Sequence, residues 1–526
     1  MAKKIKVFHF SNRNFTETHQ LSSSFEYLFI PLNKGWQIQK ENRKDFFSED
    51  VLAKEKRSIF IFDQLQETDF FRKLIEQLPN YQILYDVKQT LSPLFLEVLH
   101  RKFAIGLDFG QMERVFSYIN EEYAVKQSGY KLSHDFLQVS PFFKGEVRKI
   151  GNAFIEISSE HEETFQQAFV WRMTHQLPKG EQHVFFPEVM RLSGAVEVVF
   201  KVFLLHEQTQ ELLDVVEASL EEIQQEKPIL LESKEENANI SVSLYLKGTG
   251  EVQIGQVHVR RAIASRQSMI SGGANLLDHE ENGDGIFYYF NPGDFKPPLA
   301  IYFSGYRPLE GFEGLGMMSK MGCPFMLIAD PRLEGGNFYL STEKLEKRLV
   351  EIIQEKLDFL GFTNQELVLS GLSMGTFGAL YFASYLSPKC VIIGKPLTNL
   401  GLIAENGRIH RTQEFATAYD MMCYNVKGIS DEKIKEMDEM FWQRFRQGDY
   451  NQTIFAIAYM KQDDYDAIAF PMLYDFLKEH SPNSHLLYRG FIGHHNDNSP
   501  AINNWFVKQY RNLMWTNYQR IIGKIV

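Results

Sequence analysis

The stretch Leu367-Val-Leu-Ser-Gly-Leu-Ser-Met-Gly-Thr-Phe-Gly-Ala-Leu380 constrains the fold more than any other part of the chain. A short apolar run ends in Gly371-Leu-Ser-Met-Gly375, and a helical pattern with small residues at Gly378, Ala379 and Ala383 follows at once. That order reads as strand, sharp turn and helix. A serine at such a turn takes strained backbone angles that push its hydroxyl out of the sheet, and the flanking glycines keep a Cβ from striking a neighbouring strand or helix. Ser373 is therefore the candidate nucleophile. The Gly-x-Ser-x-Gly pattern alone arises by chance in roughly one chain in five of this length, with glycine and serine each near ~7% of residues, so its surroundings carry the weight.

From Ile286 onward those surroundings alternate between strand and helix. Phe287–Asn291, Leu299–Ser304, Phe325–Ala329, Glu366–Ser370, Cys390–Ile393, Thr453–Tyr459 and His485–Arg489 read as strands, with helical patterns at Thr342–Leu357, Met374–Leu386, Asp431–Phe445 and Phe470–His480. Apolar strands with intervening helices describe a mostly parallel sheet covered on both faces. In an α/β-hydrolase the nucleophile, acid and histidine come in that chain order, on loops at the carboxyl edge of the sheet. Thr453–Met460 runs into Asp463-Asp464-Tyr465-Asp466, and His485–Ile492 runs into Gly493-His494-His495. A serine hydroxyl needs an imidazole to accept its proton, and a carboxylate to hold that imidazole's tautomer and stabilise its charge. Asp463 is preferred as the acid, with Asp464 its alternative; either His494 or His495 is the base. The developing oxyanion needs donors: the backbone N–H of Met374 by position, and the loop after Leu299–Ser304, at Gly305 and Tyr306. The stretch between Leu397 and Gln452 leaves room for a cap, in which His410 and Arg411 read as a solvated loop.

Upstream, residues 4–11, 26–31, 58–63 and 81–87 are short aromatic and β-branched runs, with a helical pattern around Phe70–Gln77. They describe a small α/β domain without the glycine fingerprint of a dinucleotide site, so no cofactor is assigned. From about 140 to 262 strands separated by turn residues point to a β-sandwich or jelly roll resembling carbohydrate-binding modules. Within it Ile240–Leu246 and Val252–Arg260 read as a hairpin turning at Lys247-Gly-Thr-Gly250, and Leu212–Gln225 is read as strand. The polar, glycine-rich Ser265–Gly285 reads as a linker. The expected domains are 1–130 (α/β), 131–264 (β-sandwich) and 265–526 (α/β-hydrolase); a chain of 526 residues exceeds a single core.

A net charge of −11 with no long Lys/Arg run argues against nucleic acid as a partner. The basic but short start lacks the apolar stretch of a signal peptide, and no run approaches the roughly 18 apolar residues of a membrane span. The three cysteines, Cys323, Cys390 and Cys423, lack metal-site spacing and read as reduced core residues of a cytoplasmic protein. Asp464 with Asp466 has no accompanying ligands, so no metal is expected.

The 371–381 run, the 458–466 run Ala-Tyr-Met-Lys-Gln-Asp-Asp-Tyr-Asp and the run His-Asn-Asp-Asn-Ser-Pro ending at Pro500 together resemble the second accessory Sec protein family. That family serves the secretion system of Gram-positive cocci that exports serine-rich repeat glycoprotein adhesins. The resemblance implies O-acetylation of N-acetylglucosamine on the adhesin in the cytoplasm. It also implies export work alongside the accessory SecA motor and two sibling accessory Sec proteins, with membrane association at most peripheral. Carried onto this chain, the nucleophile falls on Ser373, the acid on the Asp463-Asp464 pair and the base on the His494-His495 pair. The acetyl donor stays open. Two other readings accommodate the same motif: an esterase for carbohydrate or small esters, and an export adaptor with a relic triad.

Overall fold

The structure is a computed structural model that describes residues 4–15, 18–31, 55, 57–123, 127–261, 268–278, 283–412 and 418–521. Its contacts divide the chain into two compact units, 1–126 with the short pieces 270–272 and 291–293, and the remainder.

The first unit holds a five-stranded sheet of β1 (Ile5–Ser11), β2 (Phe25–Pro31), β3 (Ile59–Phe62), β4 (Ile83–Asp86) and β5 (Ile105–Leu107), all parallel, in the order β2-β1-β3-β4-β5. Successive side chains of a strand point to opposite faces, and both faces are apolar here. Phe8, Phe10, Phe60 and Phe62 pack against α1 (Asp69–Gln77) and α2 (Pro93–Arg101). Val7, Ile59 and Ile61 pack against α3 (Met112–Tyr123). Burial on both sides is why these strands read as unbroken apolar runs.

The second unit carries two sheets. The first is a ten-stranded network of β6 (Ser128–Lys131), β7 (Leu137–Val139), β8 (Glu146–Ile150), β9 (Phe154–Trp171), β10 (His175–Leu177), β11 (Gln182–Gly194), β12 (Glu197–His206), β13 (Leu212–Ser219), β14 (Ile229–Glu232) and β15 (Ala238–Arg261). The expected hairpin at Lys247–Gly250 does not form: both of its arms belong to β15, a single strand of 24 residues. Gly248 and Gly250 have positive φ and sit where the pairing with β9 shifts register. They are bulges that let a long strand bend, and a glycine-rich bulge has the same composition as a tight turn. Leu212–Gln225 divides into β13 and a short helix, α4 (Leu220–Gln224), started by a Ser219/Glu222 capping box.

The second sheet has the order β16-β17-β19-β18-β20-β21-β22-β23, from β16 (Gly273–Asp278), β17 (Asp284–Asn291), β18 (Leu299–Phe303), β19 (Phe325–Ala329), β20 (Leu367–Leu372), β21 (Cys390–Gly394), β22 (Ile454–Met460) and β23 (His485–Phe491). β16 and β17 are antiparallel, and β18 through β23 are parallel. The expected linker thus yields a strand at β16, while 265–267 and 279–282 of that stretch lie outside the described residues. Between the strands run α5 (Leu315–Met321), α6 (Glu343–Leu360), α7 (Met374–Leu386), α8 (Leu400–His410), α9 (Ala418–Asn425), α10 (Asp431–Phe445) and α11 (Ala469–His480), and α12 (Ser499–Tyr518) follows the last. Helices α8 to α10 fill the stretch between β21 and β22 where a cap was expected. Among the described residues no helix is long and apolar enough to cross a membrane.

Candidate active site

Strand β20 delivers the chain to Ser373, whose φ of 52° and ψ of −123° lie in a region non-glycine residues rarely occupy. Two close approaches enforce the bend. A Cβ on Gly371 would lie 2.2 Å from the carbonyl oxygen of Gly375, and one on Gly375 would lie 2.0 Å from that of Phe303. The Ser373 N–H donates to the Gly394 carbonyl at 2.9 Å, tying the turn to β21. The side chain is left half-buried at the carboxyl end of the parallel strands.

Across 122 positions of chain, His495 Nε2 lies 2.8 Å from Ser373 Oγ. The other ring nitrogen, Nδ1, lies 2.9 Å from Asp463 Oδ2 and 3.1 Å from Oδ1. A carboxylate only accepts, so Nδ1 carries the proton and Nε2 is left to accept from the serine hydroxyl. Asp463 is held in turn by the N–H groups of Tyr465 at 2.9 Å and Asp466 at 3.2 Å, both donating to Oδ1. Asp463 and His495 are buried, at 7% and 1% exposure, so the pair is shielded from bulk water.

The doubled residues separate in space. The structure brings Asp463 and His495 to Ser373. His494 points to solvent with 66% of its side chain exposed, and its backbone N–H donates to Asp497. Asp464 accepts the backbone N–H of His495 at 2.8 Å through Oδ1 and pairs with Arg411 through Oδ2. Asp466 turns away to the N–H groups of Thr398 and Asn399, and burial raises its pKa despite those donors. Asp464 and Asp466 therefore serve different partners, and among the described residues no group of three or more His, Cys, Asp or Glu side chains is arranged to hold a metal.

The oxyanion donors divide similarly. Met374 opens α7, so its N–H is one of the amides that helix geometry leaves without an intrahelical acceptor. The Gly305 N–H, expected as the second donor, donates to Glu313 Oε2 at 2.7 Å and is thus engaged in this conformation. Tyr306 follows it in the same loop, and its side chain closes over Gly335, where a Cβ would meet the ring at 2.0 Å. Three neighbours escape the sequence reading. Glu313 is one. Lys395 is buried just after β21, and desolvation lowers its pKa while Asp463 opposes that shift. Arg411, read as a solvated loop residue, has only 8% of its side chain exposed, whereas His410 is exposed as expected. Nothing in the local composition distinguishes these two. A cavity of about 320 Å³ opens beside Asp463, lined in part by Pro396, Tyr459 and Phe470.

The sequence profile of the family described as Accessory Sec system GspB-transporter matches residues 5–520. This chain belongs to that family. A curated accessory Sec system protein of Staphylococcus aureus (strain NCTC 8325 / PS 47) is 39% identical over 403 residues, 74% of this chain and 76% of the relative. The accessory Sec system protein of Streptococcus gordonii is 33% identical over 438 residues, 82% of this chain and 85% of the relative. Among solved structures, the Glycosylation Associate Protein (Gap123) complex from Streptococcus agalactiae superposes with a TM-score of 0.87 at 31% identity, covering 98% of this chain and 99% of that one. Membership in the accessory Sec family assigns the chain a role in that transport system.

Proposed function

We propose that this accessory Sec protein is also a serine-dependent O-acetyltransferase of α/β-hydrolase type, acting on N-acetylglucosamine of a serine-rich repeat glycoprotein adhesin before its export. The observation that carries the reading is the continuous chain Ser373 Oγ, His495, Asp463, with the serine on a strained strand-to-helix turn. A serine with no catalytic role has little reason to occupy that backbone region. In support of the fold class, the sheet has an antiparallel start and six parallel strands, and Ser373, Asp463 and His495 follow β20, β22 and β23, as an α/β-hydrolase triad would require.

In this mechanism Ser373 Oγ attacks the acetyl carbonyl of a donor while its proton passes to His495 Nε2. The imidazolium gives that proton to the leaving group, and the acetyl ester stays on Ser373. A sugar hydroxyl then attacks the ester as His495 takes its proton. The tetrahedral species expels Ser373 Oγ, which recovers the proton from the imidazolium. The Asp463 carboxylate accepts from Nδ1–H and stabilises the imidazolium in both halves. No cofactor is needed beyond the acetyl donor.

Water in place of the sugar would make the same residues an esterase, and the half-burial of Ser373 favours keeping that second reading. The Streptococcus agalactiae relative is named as a complex. We accordingly place this chain in an assembly with sibling accessory Sec proteins and the accessory SecA motor, in the cytoplasm or peripherally at the inner face of the membrane. The test is mass spectrometry of adhesin glycans from cells carrying Ser373→Ala. Loss of acetate with export retained supports the enzyme, and undiminished acetate would reduce the protein to an export adaptor with a relic triad.

A further inference from the structure

Arg411 lies directly after α8, and its guanidinium makes two contacts that converge on the same residue. Its carbon centre sits 3.3 Å from the centroid of the Tyr465 ring. Its Nε forms an ion pair with Asp464 Oδ2 at 3.1 Å. Tyr465 in turn stacks on the imidazole of His495, with centroids 4.1 Å apart and planes 11° from parallel. Two groups this near one ring centroid cannot share a face, so guanidinium, phenol and imidazole form a three-layer stack. Asp464 meanwhile accepts the backbone N–H of His495 at 2.8 Å. One partner of Arg411 therefore holds the ring of the candidate base, and the other holds its main chain.

The arginine forgoes its usual bonding to be there. Its Nη1 and Nη2 are buried and find no hydrogen-bond acceptor among the described residues. A buried guanidinium with two nitrogens lacking acceptors is an expensive way to fill space, and an aliphatic side chain would pack without leaving donors unpaired. What an aliphatic residue could not supply is a planar cation against an aromatic face. The remaining links around Tyr465 make the stack stiff: its N–H donates to Asp463, its carbonyl accepts from Asn406 and its hydroxyl accepts from Asn496.

We propose that Arg411 is a positioning residue for His495, fixing the plane of the imidazole through Tyr465. The inference rests on the proposed triad. The charged and titratable groups around His495 are Asp463 at Nδ1, Asp464 at its backbone N–H, the Ser373 hydroxyl at Nε2, Lys395 near Asp463, the neighbouring exposed His494, and Arg411 beyond Tyr465.

The experiment uses the full chain as wild type, Arg411→Met and Arg411→Lys, with circular dichroism to establish folding. Selective carbon labelling of histidine Cε1 lets NMR follow the His495 Cε1–H resonance, which feels the Tyr465 ring stacked on the imidazole, assigned by His495→Gln, whether or not the protein turns over a substrate. Losing the planar cation should move that resonance from its wild-type position in Arg411→Met and in Arg411→Lys alike, because neither replacement restores the planar stack. A His495 resonance that stays at its wild-type position in Arg411→Met overturns the proposal. In parallel, turnover of 4-nitrophenyl acetate should fall roughly tenfold in kcat for both variants with KM little changed, because the planar stack is lost in each. Turnover that is the same in Ser373→Ala as in wild type would remove the triad reading without touching the NMR result. If Arg411→Met does not fold, Tyr465→Leu interrupts the same stack and is expected to lower kcat similarly; full activity in that variant overturns the proposal.

Discussion

Tyr465 stacks on His495 with the two rings 11° from parallel, and the tyrosine belongs to the same turn that supplies the candidate acid Asp463. The loop after β22 thus delivers both the carboxylate that orients the imidazole and the surface against which the imidazole lies. Disturbing either should be felt at Ser373.

Ser373→Ala should lower turnover of an activated acetate ester at least about a thousandfold. Its melting temperature should stay close to that of wild type, since among the described residues the side chain's hydrogen bond is the one to His495. Single-turnover kinetics and a thermal melt on the same preparation check both halves.

The doublets provide an internal comparison. Asp463→Asn leaves Nδ1 facing an amide and favours the wrong tautomer, so kcat should drop roughly a thousandfold or more. Asp464→Asn still accepts the His495 N–H and should stay within about tenfold of wild type. His495→Gln should match Ser373→Ala, and the exposed His494→Gln should remain within about twofold. The reverse ranking in steady-state assays would displace the assignment by one residue.

Gly375→Ala should destabilise the fold by about 1–3 kcal/mol or more, because the new methyl lies 2.0 Å from the Phe303 carbonyl oxygen and two main chains must move apart. Gly316→Ala is the control. It sits exposed in α5, a Cβ there meets nothing within 4 Å, and its effect in urea melts should be neutral or favourable by up to about 1 kcal/mol.

Asp420, in α9, has its pKa raised to about 6, chiefly by burial, although its Oδ1 accepts the Asn152 N–H. The folded state therefore holds this proton more tightly than the unfolded chain does. The contribution to stability is fully present below the ordinary carboxylate pKa and is lost as pH rises through about 6. Asp420→Asn should consequently be more stable than wild type at pH 8 by about 1–3 kcal/mol, and the gap should close by pH 4. Denaturant melts across that range decide it, and a gap independent of pH would show that Asp420 does not titrate as described.

Much of the site is legible along the chain because its components are local. The glycines about Ser373 announce their own backbone constraint, and strand-end loops are visible as apolar runs giving way to polar clusters. Other features are not local. Gly248 and Gly250 read as a turn because bulge and turn demand the same residue, and only the neighbouring β9 distinguishes them. Glu313 reaches the Gly305 amide from a loop with no catalytic composition. Arg411 resembles any charged residue past a helix end, and its burial depends on Tyr465 and Asp464, more than fifty positions downstream.

By itself the sequence determined the strand-turn-helix that exposes Ser373 and the order in which a carboxylate and a histidine follow it, because periodicity and glycine placement are properties of consecutive residues. Which histidine faces Ser373, His495 rather than His494, was decided by the tertiary structure alone, and the sequence preference for Asp463 over Asp464 found its geometric reason only there. Adjacent residues in a loop point in different directions, and the direction is set by what packs against them: here Tyr465, the Asp464 contact to the His495 main chain, and the guanidinium of Arg411.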